Sequence, residues 1–334
     1  MRPVRPRHTW IAAATSIFIA SCGGGANDQS SASTTYTAAA AAGELVSYTL
    51  DTVALTYSYT ITESAYGLTG TQGSGDLTKN SDGTYSPSGF DGRIAVLESG
   101  LVLGAIAEDF NRDGTAEVTP FIGASNLVTT AADAAGVYNF ISRQCVSFNA
   151  CATDYGTIKV ETSGAWTSCT KGNLSNSAPS CTESMAGSVG SFESGTAQVT
   201  LGGTNSTSGT RAGTAFIFKD DTNGQKALIM DLNGQSVLGI GAVFAATQEL
   251  PRSADGRWFY THSNGYYGYV DAKSTTYTDY FLSAGQTNSG SFTVNEPWNG
   301  LVTTEFGAIL MPTGSGLYAG YFPTEDSISV GLKP

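Results

Sequence analysis

The chain has 334 residues, 16 of them Lys or Arg against 28 Asp or Glu, a formal net charge of −12. A chain this acidic repels nucleic acid and anionic lipid surfaces, so neither is a partner through a basic face. With 41 glycines and only 13% charged residues, its composition suits short strands and tight turns, because Gly supplies positive φ while β-branched and aromatic side chains fit a pleated surface. The predicted fold is all-β, antiparallel meanders forming a barrel or two packed sheets.

In chain order, Arg2, Arg5 and Arg7 precede an uncharged stretch from Trp10 to Ala20 and then Ser21-Cys22. This order predicts a signal peptide over residues 1–21, too short to span a bilayer, which takes roughly 20 apolar residues. Ile19-Ala20-Ser21-Cys22 resembles the lipobox of bacterial type II signal peptides. The resemblance implies cleavage before Cys22, acylation of that cysteine and anchorage in the cell envelope, with Gly23 in place of aspartate pointing to the outer membrane. Losing the signal removes three arginines and no acid, taking the charge from −12 to −15. Acyl chains would then hold the protein to the lipid bilayer, at about 0.8 kcal/mol per buried methylene. Residues 22–43, rich in Gly, Ser, Thr and Ala, are predicted to be a flexible tether.

Three β modules are expected over 44–130, 131–250 and 251–334, packed as one or two domains. Short or alternating apolar runs mark strands at Tyr57–Thr62, Ile94–Leu97, Leu101–Ile106, Thr157–Val160, Ala215–Phe218, Ala227–Leu232, Val302–Phe306 and Ala308–Met311. Asn80–Gly83, Asp221–Gly224 and Leu232–Gly234 supply turns. Ser125–Ala135 reads as a short helical connector. A weak repeat has openings at Tyr57-Ser58-Tyr59, Asp133–Phe140 and Asp255–Tyr260 and closings at Ser99–Ala105, Ser236–Ala242 and Ser315–Tyr321. A Gly-x-aromatic opening followed by a meander resembles lipocalin-like barrels.

In the first module, Asp109-Phe110-Asn111-Arg112-Asp113-Gly114-Thr115-Ala116-Glu117 places oxygens at alternate positions around a turn-permitting glycine. It resembles the DxNxDGxxD/E calcium loops of FG-GAP-type repeats, which implies a Ca2+ held by Asp109, Asn111, Asp113 and Glu117. The second module carries Cys145, Cys151, Cys169 and Cys181, an even number in an exported chain and therefore expected as disulfides. If Val137–Ser142 pairs antiparallel with Thr157–Val160, and a turn at Glu161–Gly164 leads to Ala165–Ser168, three of these cysteines meet at one sheet end. Of the three pairings, Cys145 with Cys151 and Cys169 with Cys181 is favoured because each closes a short loop.

The third module is dense in aromatics. Trp258, Tyr266, Tyr267 and Trp298 are candidates for binding a glycan or an envelope protein. The adjacent Tyr266 and Tyr267 must point to opposite faces if both lie in a strand. His262 is the one histidine beyond the signal, and no nucleophile elbow, HExxH helix, Walker loop or dinucleotide fingerprint occurs. These features favour a tethered envelope lipoprotein with a binding or structural role over its alternatives, a hydrolase of envelope or extracellular polysaccharide and a lipocalin-like carrier of an apolar ligand.

Overall fold

The structure is a computed structural model describing residues 33–110, 113–147, 150–193, 198–205, 209–233, 240–248, 254–325 and 327–333. The signal peptide and Cys22 lie outside the described residues, as does Asn111. The protein is all-β, with three eight-stranded antiparallel meanders.

The first sheet comprises β1 (Ser33–Ala40), β2 (Glu44–Asp51), β3 (Thr56–Ser64), β4 (Gln72–Lys79), β5 (Tyr85–Pro87), β6 (Ala95–Val96), β7 (Leu101–Glu108) and β8 (Glu117–Ala124). Its order is β5-β4-β3-β2-β1-β8-β7-β6, and the lone bridge Tyr85–Ile94 spans the gap between its edges. One helical turn, α1 (Ala131–Ala134), capped by Thr130 Oγ1 accepting from the Asp133 N–H, leads onward. A closed barrel follows: β9 (Gly136–Ser147), β10 (Ala150–Val160), β11 (Ala165–Thr170), β12 (Glu183–Val189), β13 (Val199–Asn205), β14 (Gly209–Lys219), β15 (Lys226–Asn233) and β16 (Ile240–Thr247), the last pairing with β9. The second closed barrel is β17 (Gly256–His262), β18 (Tyr267–Lys273), β19 (Thr276–Phe281), β20 (Gln286–Val294), β21 (Val302–Thr304), β22 (Ile309–Pro312), β23 (Leu317–Phe322) and β24 (Ser327–Leu332), with β24 pairing to β17. Below, the three meanders are called the first, second and third barrels, the first being nearly closed.

Alternation along each strand sends side chains inward and outward in turn, and here both directions are buried over much of the surface. The inward rows fill the first barrel with Tyr36, Tyr48, Ile61 and Phe121 and the second with Tyr138, Ile158, Trp166 and Leu201. Outward rows of all three meet in one shared core: Leu45, Leu103 and Ile122 from the first, Phe216, Phe218 and Phe244 from the second, Phe259, Ile328 and Val330 from the third. This explains the apolar runs without alternation. In Leu101–Ile106, Leu101 and Leu103 join the shared core while Val102 and Ile106 face the barrel interior.

Polar bonds pin the same seams. Arg143 Nη1 donates to the Ala41 carbonyl at 3.1 Å, Thr214 Oγ1 to both Glu63 oxygens at 3.1 and 3.0 Å, and Asn126 Nδ2 to the Lys219 carbonyl at 2.8 Å.

Two expectations need correction. Residues 33–43, read as tether, form β1 and its turn; Ala38, Ala40 and Ala42 pack inside the first barrel, and Ala39 and Ala41 enter the shared core. Small side chains that look too slight to build a core are what lets this strand lie between two packed surfaces. The repeat is also misphased: Tyr57-Ser58-Tyr59 lies in β3 rather than in an opening strand, and the similar closings fall on β7, on β16 for the described residues 240–242 and on β23, which are seventh, eighth and seventh in their meanders.

The cysteines form two disulfides, Cys145–Cys151 and Cys169–Cys181. The first bridges facing residues of β9 and β10, and the second ties the end of β11 to the loop before β12.

Candidate functional site

The third barrel is packed differently inside. Trp258, Tyr260 and Tyr318 form its buried interior cluster, with Val270, Ala272, Phe281 and Leu310 packed against them. Its inward rows include several very small residues, among them Gly268, Gly290, Gly320, Ser329 and Gly331. At Gly268 a side chain is impossible: a Cβ would stand 2.1 Å from the Tyr280 carbonyl oxygen. Large residues on some strands facing almost nothing on others leave a cavity of about 610 Å³, lined mainly by apolar and aromatic groups. A contiguous space of about 290 Å³ shares Tyr260, Asp279, Phe281, Tyr318 and Phe322 with it.

Antiparallel order sets the turns after β17, β19, β21 and β23 at one end of this barrel. The cavity reaches Phe306 and Pro323–Glu325 there. Three large apolar side chains stand exposed on those turns, Tyr266 at 46%, Leu282 at 38% and Phe306 at 67%. Phe306 lines the larger space and Tyr266 the smaller one, so exposed apolar surface lies at this end of the cavity.

Two carboxylates belong to the lining, Asp279 and Glu325. Asp279 sits on the inward row of β19 between Tyr277 and Phe281. Its Oδ1 accepts the Tyr260 hydroxyl at 2.8 Å. Burial pushes the Asp279 carboxyl up to about 6, against the stabilising effect of that hydrogen bond. Burial likewise raises the Tyr260 and Tyr318 hydroxyls, the latter accepting from Ser329 Oγ at 3.0 Å.

His262 closes one side near the mouth and is buried. Burial, assisted by the charge of Arg143, holds its ring down to about 4. Its Nδ1 accepts the Asn264 N–H at 3.2 Å, so the neutral ring carries its proton on Nε2, which faces Ser327 Oγ at 3.2 Å and Glu325 at 3.7 Å. Serine and carboxylate therefore meet the same nitrogen. A nucleophile relay needs them on opposite nitrogens.

The sequence candidates separate on this geometry. Trp258 lines the cavity, its Nε1 donating to the Ala254 carbonyl at 2.8 Å, and Tyr266 lines the smaller space. Tyr267 points away, donating to Asp91 Oδ1 of the first barrel at 2.6 Å. Trp298 is also outside: it stacks on Tyr155 with ring centroids 5.6 Å apart and donates to Asn139 Oδ1 at 2.8 Å, anchoring a loop on the second barrel. The sequence reading passed over Asp279, whose available signal was an acid at an alternate position within the aromatic run Tyr277–Phe281.

In the Asp109 loop, ligand atoms of Asp109, Asp113 and Glu117 all lie within 4.8 Å of one another. The loop is drawn together by its own backbone. The Asp113 and Gly114 N–H groups donate to Asp109, the Phe110 N–H to Glu117 and the Thr115 N–H to Asp113, at 2.8–3.0 Å. No protein-family model, curated protein or solved structure matches this chain.

The raised Asp279 carboxyl makes stability depend on pH. The folded protein keeps this proton up to about pH 6, whereas a free side chain loses it near 3.8. Its contribution is therefore fully present below about pH 4, is lost as pH rises to about 6, and is level above. Relative to Asp279→Asn, the wild type should lose up to about 3 kcal/mol across that window, read by urea unfolding at several pH values. Parallel profiles would show that Asp279 titrates as an ordinary exposed carboxyl.

Proposed function

We propose that the protein is an exported, lipid-anchored envelope protein whose third barrel holds a small, largely apolar ligand. The observation that carries this reading is the cavity of about 610 Å³ within a closed barrel, a volume typical of small-molecule sites. The exposed apolar surface of Tyr266, Leu282 and Phe306 at one end supports it by offering an entry path. The orientation of His262 speaks against the hydrolase alternative, since one nitrogen cannot both take a proton from Ser327 and be steadied by Glu325. Trp298 and Tyr267, engaged with neighbouring barrels, do not support a flat aromatic glycan platform.

The test uses the neutral fluorophore N-phenyl-1-naphthylamine. Saturable one-site binding is expected, and Ala308→Trp, which fills the cavity lining, should weaken it at least tenfold while the protein still unfolds cooperatively. Binding that is absent, or equal in the variant, would overturn the reading.

Lipid anchorage rests on the Ile19–Cys22 lipobox. Cys22→Ser expressed in a bacterial host should either leave the chain uncleaved or shift it from the membrane to the soluble fraction, and unchanged fractionation and mass would refute the anchor.

We further propose that the Asp109 loop takes a calcium ion, on the closeness of its three carboxylates and the sequence position of Asn111. Without a cation these charges repel, and a cation compensates them. At a hundredfold excess over the dissociation constant, calcium should stabilise the fold by about 2.7 kcal/mol, and Asp113→Ala should abolish the effect. Equal melting in calcium and in chelator, with no calcium found by titration, would make the loop a polar turn.

A further inference from the structure

The groups that line the third barrel's cavity are unbalanced in charge. Asp279 and Glu325 contribute carboxylates, and among the described residues no Lys or Arg lines either part of the space. The basic ring that does, His262, is held neutral. Cations nearby are engaged elsewhere: Arg257 makes a bidentate pair with Asp271 at 2.7 and 2.6 Å, and Lys333 donates to the Asp255 carbonyl, its ammonium 5.5 Å from the Trp258 ring centroid.

Asp279 has a single hydrogen bond among the described residues, from Tyr260 to Oδ1. Its second oxygen is left for whatever occupies the cavity. A carboxylate that is half-desolvated and singly bonded is costly to keep ionised, which its upward-shifted titration reflects. An anionic ligand would worsen this, and a neutral apolar one would leave it as it is. An ammonium would relieve it through a charge-assisted hydrogen bond. The aromatic faces around Asp279 add a second attraction, since a cation within about 6 Å of a Trp, Tyr or Phe ring is stabilised by the ring quadrupole.

Building on the ligand-holding reading above, we propose that the third barrel selects a cationic amphiphile, an amine on an apolar or aromatic body. The ammonium sits against Asp279 and the body lies among Trp258, Phe281, Phe292 and Phe322. Glu325 at the mouth and the acidic chain as a whole favour the approach of such a molecule.

The test compares three probes of one skeleton at pH 7.5 by calorimetry on the wild-type protein: 2-(1-naphthyl)ethylamine, 2-(1-naphthyl)ethanol and 1-naphthylacetate. The amine is expected to bind at least about tenfold more tightly than the alcohol, in keeping with a hydrogen bond to a charged group, with the carboxylate weakest. Asp279→Asn should remove the amine's advantage and bring it to within about twofold of the alcohol's affinity for the same variant. An amine no tighter than the alcohol, a carboxylate that binds best, or an amine preference that survives Asp279→Asn would overturn the proposal. The wild-type series decides the matter even if the variant does not fold. If N-phenyl-1-naphthylamine binds and the amine does not, the charge selectivity falls while the cavity reading stands. If neither binds, both fall.

Discussion

The structure depends on one apolar contact: the outward faces of three meanders share a single core. A barrel normally buries one face of each strand and leaves the other to water. Here Phe216, Phe218 and Phe244 of the second barrel lie against Leu45, Leu103 and Ile122 of the first and Ile328 and Val330 of the third. Each such side chain removed from water is worth about 1.5–3 kcal/mol. Strands at the centre must therefore be apolar on both sides, as β7 is over Leu101–Ile106, or made of residues small enough to lie between two surfaces, as β1 is.

The same contact takes acids out of water. Glu44 is fully buried, with Ser64 Oγ donating to its Oε1 at 3.1 Å, and burial pushes its carboxyl up to about 8. Among the described residues neither carboxylate oxygen of Asp231 has a hydrogen-bond partner, and burial, then Glu44 and Glu63, raises it well above the ordinary range. Burial thus favours the protonated form of both acids, because a poorly solvated buried charge costs more than holding a proton. The interface between the first two barrels thus combines hydrophobic contact with buried acids, and Arg143 is turned to a backbone carbonyl.

How much of this was legible follows from which forces are local. Period-two alternation and turn chemistry are written within a few residues, so Tyr57–Thr62 falls inside β3 and Asn80–Gly83 joins β4 to β5. The disulfide pairing was legible for the same reason, through short loop closure. Burial by a distant partner is not local: nothing in the alanines of 38–42 announces the surfaces that enclose them, and a tether and a central strand can share that composition. The aromatic density of the third module was visible, but its division was not. Trp258 turns inward and Trp298 grips another barrel, a difference made by tertiary contact alone. Asp279 was hidden because an acid among tyrosines reads as surface until β19 is seen to turn it inward.

Closure of the third barrel by β24 on β17 has a temporal consequence. A chain that emerges N-terminus first, from a ribosome or across a membrane, has completed two meanders and seven strands of the third before residues 327–332 arrive to shut the last one. Until then the cavity is an open trough facing solvent. A closed interior therefore exists only in a chain complete through β24, and loss of that one strand would open it along both β17 and β23.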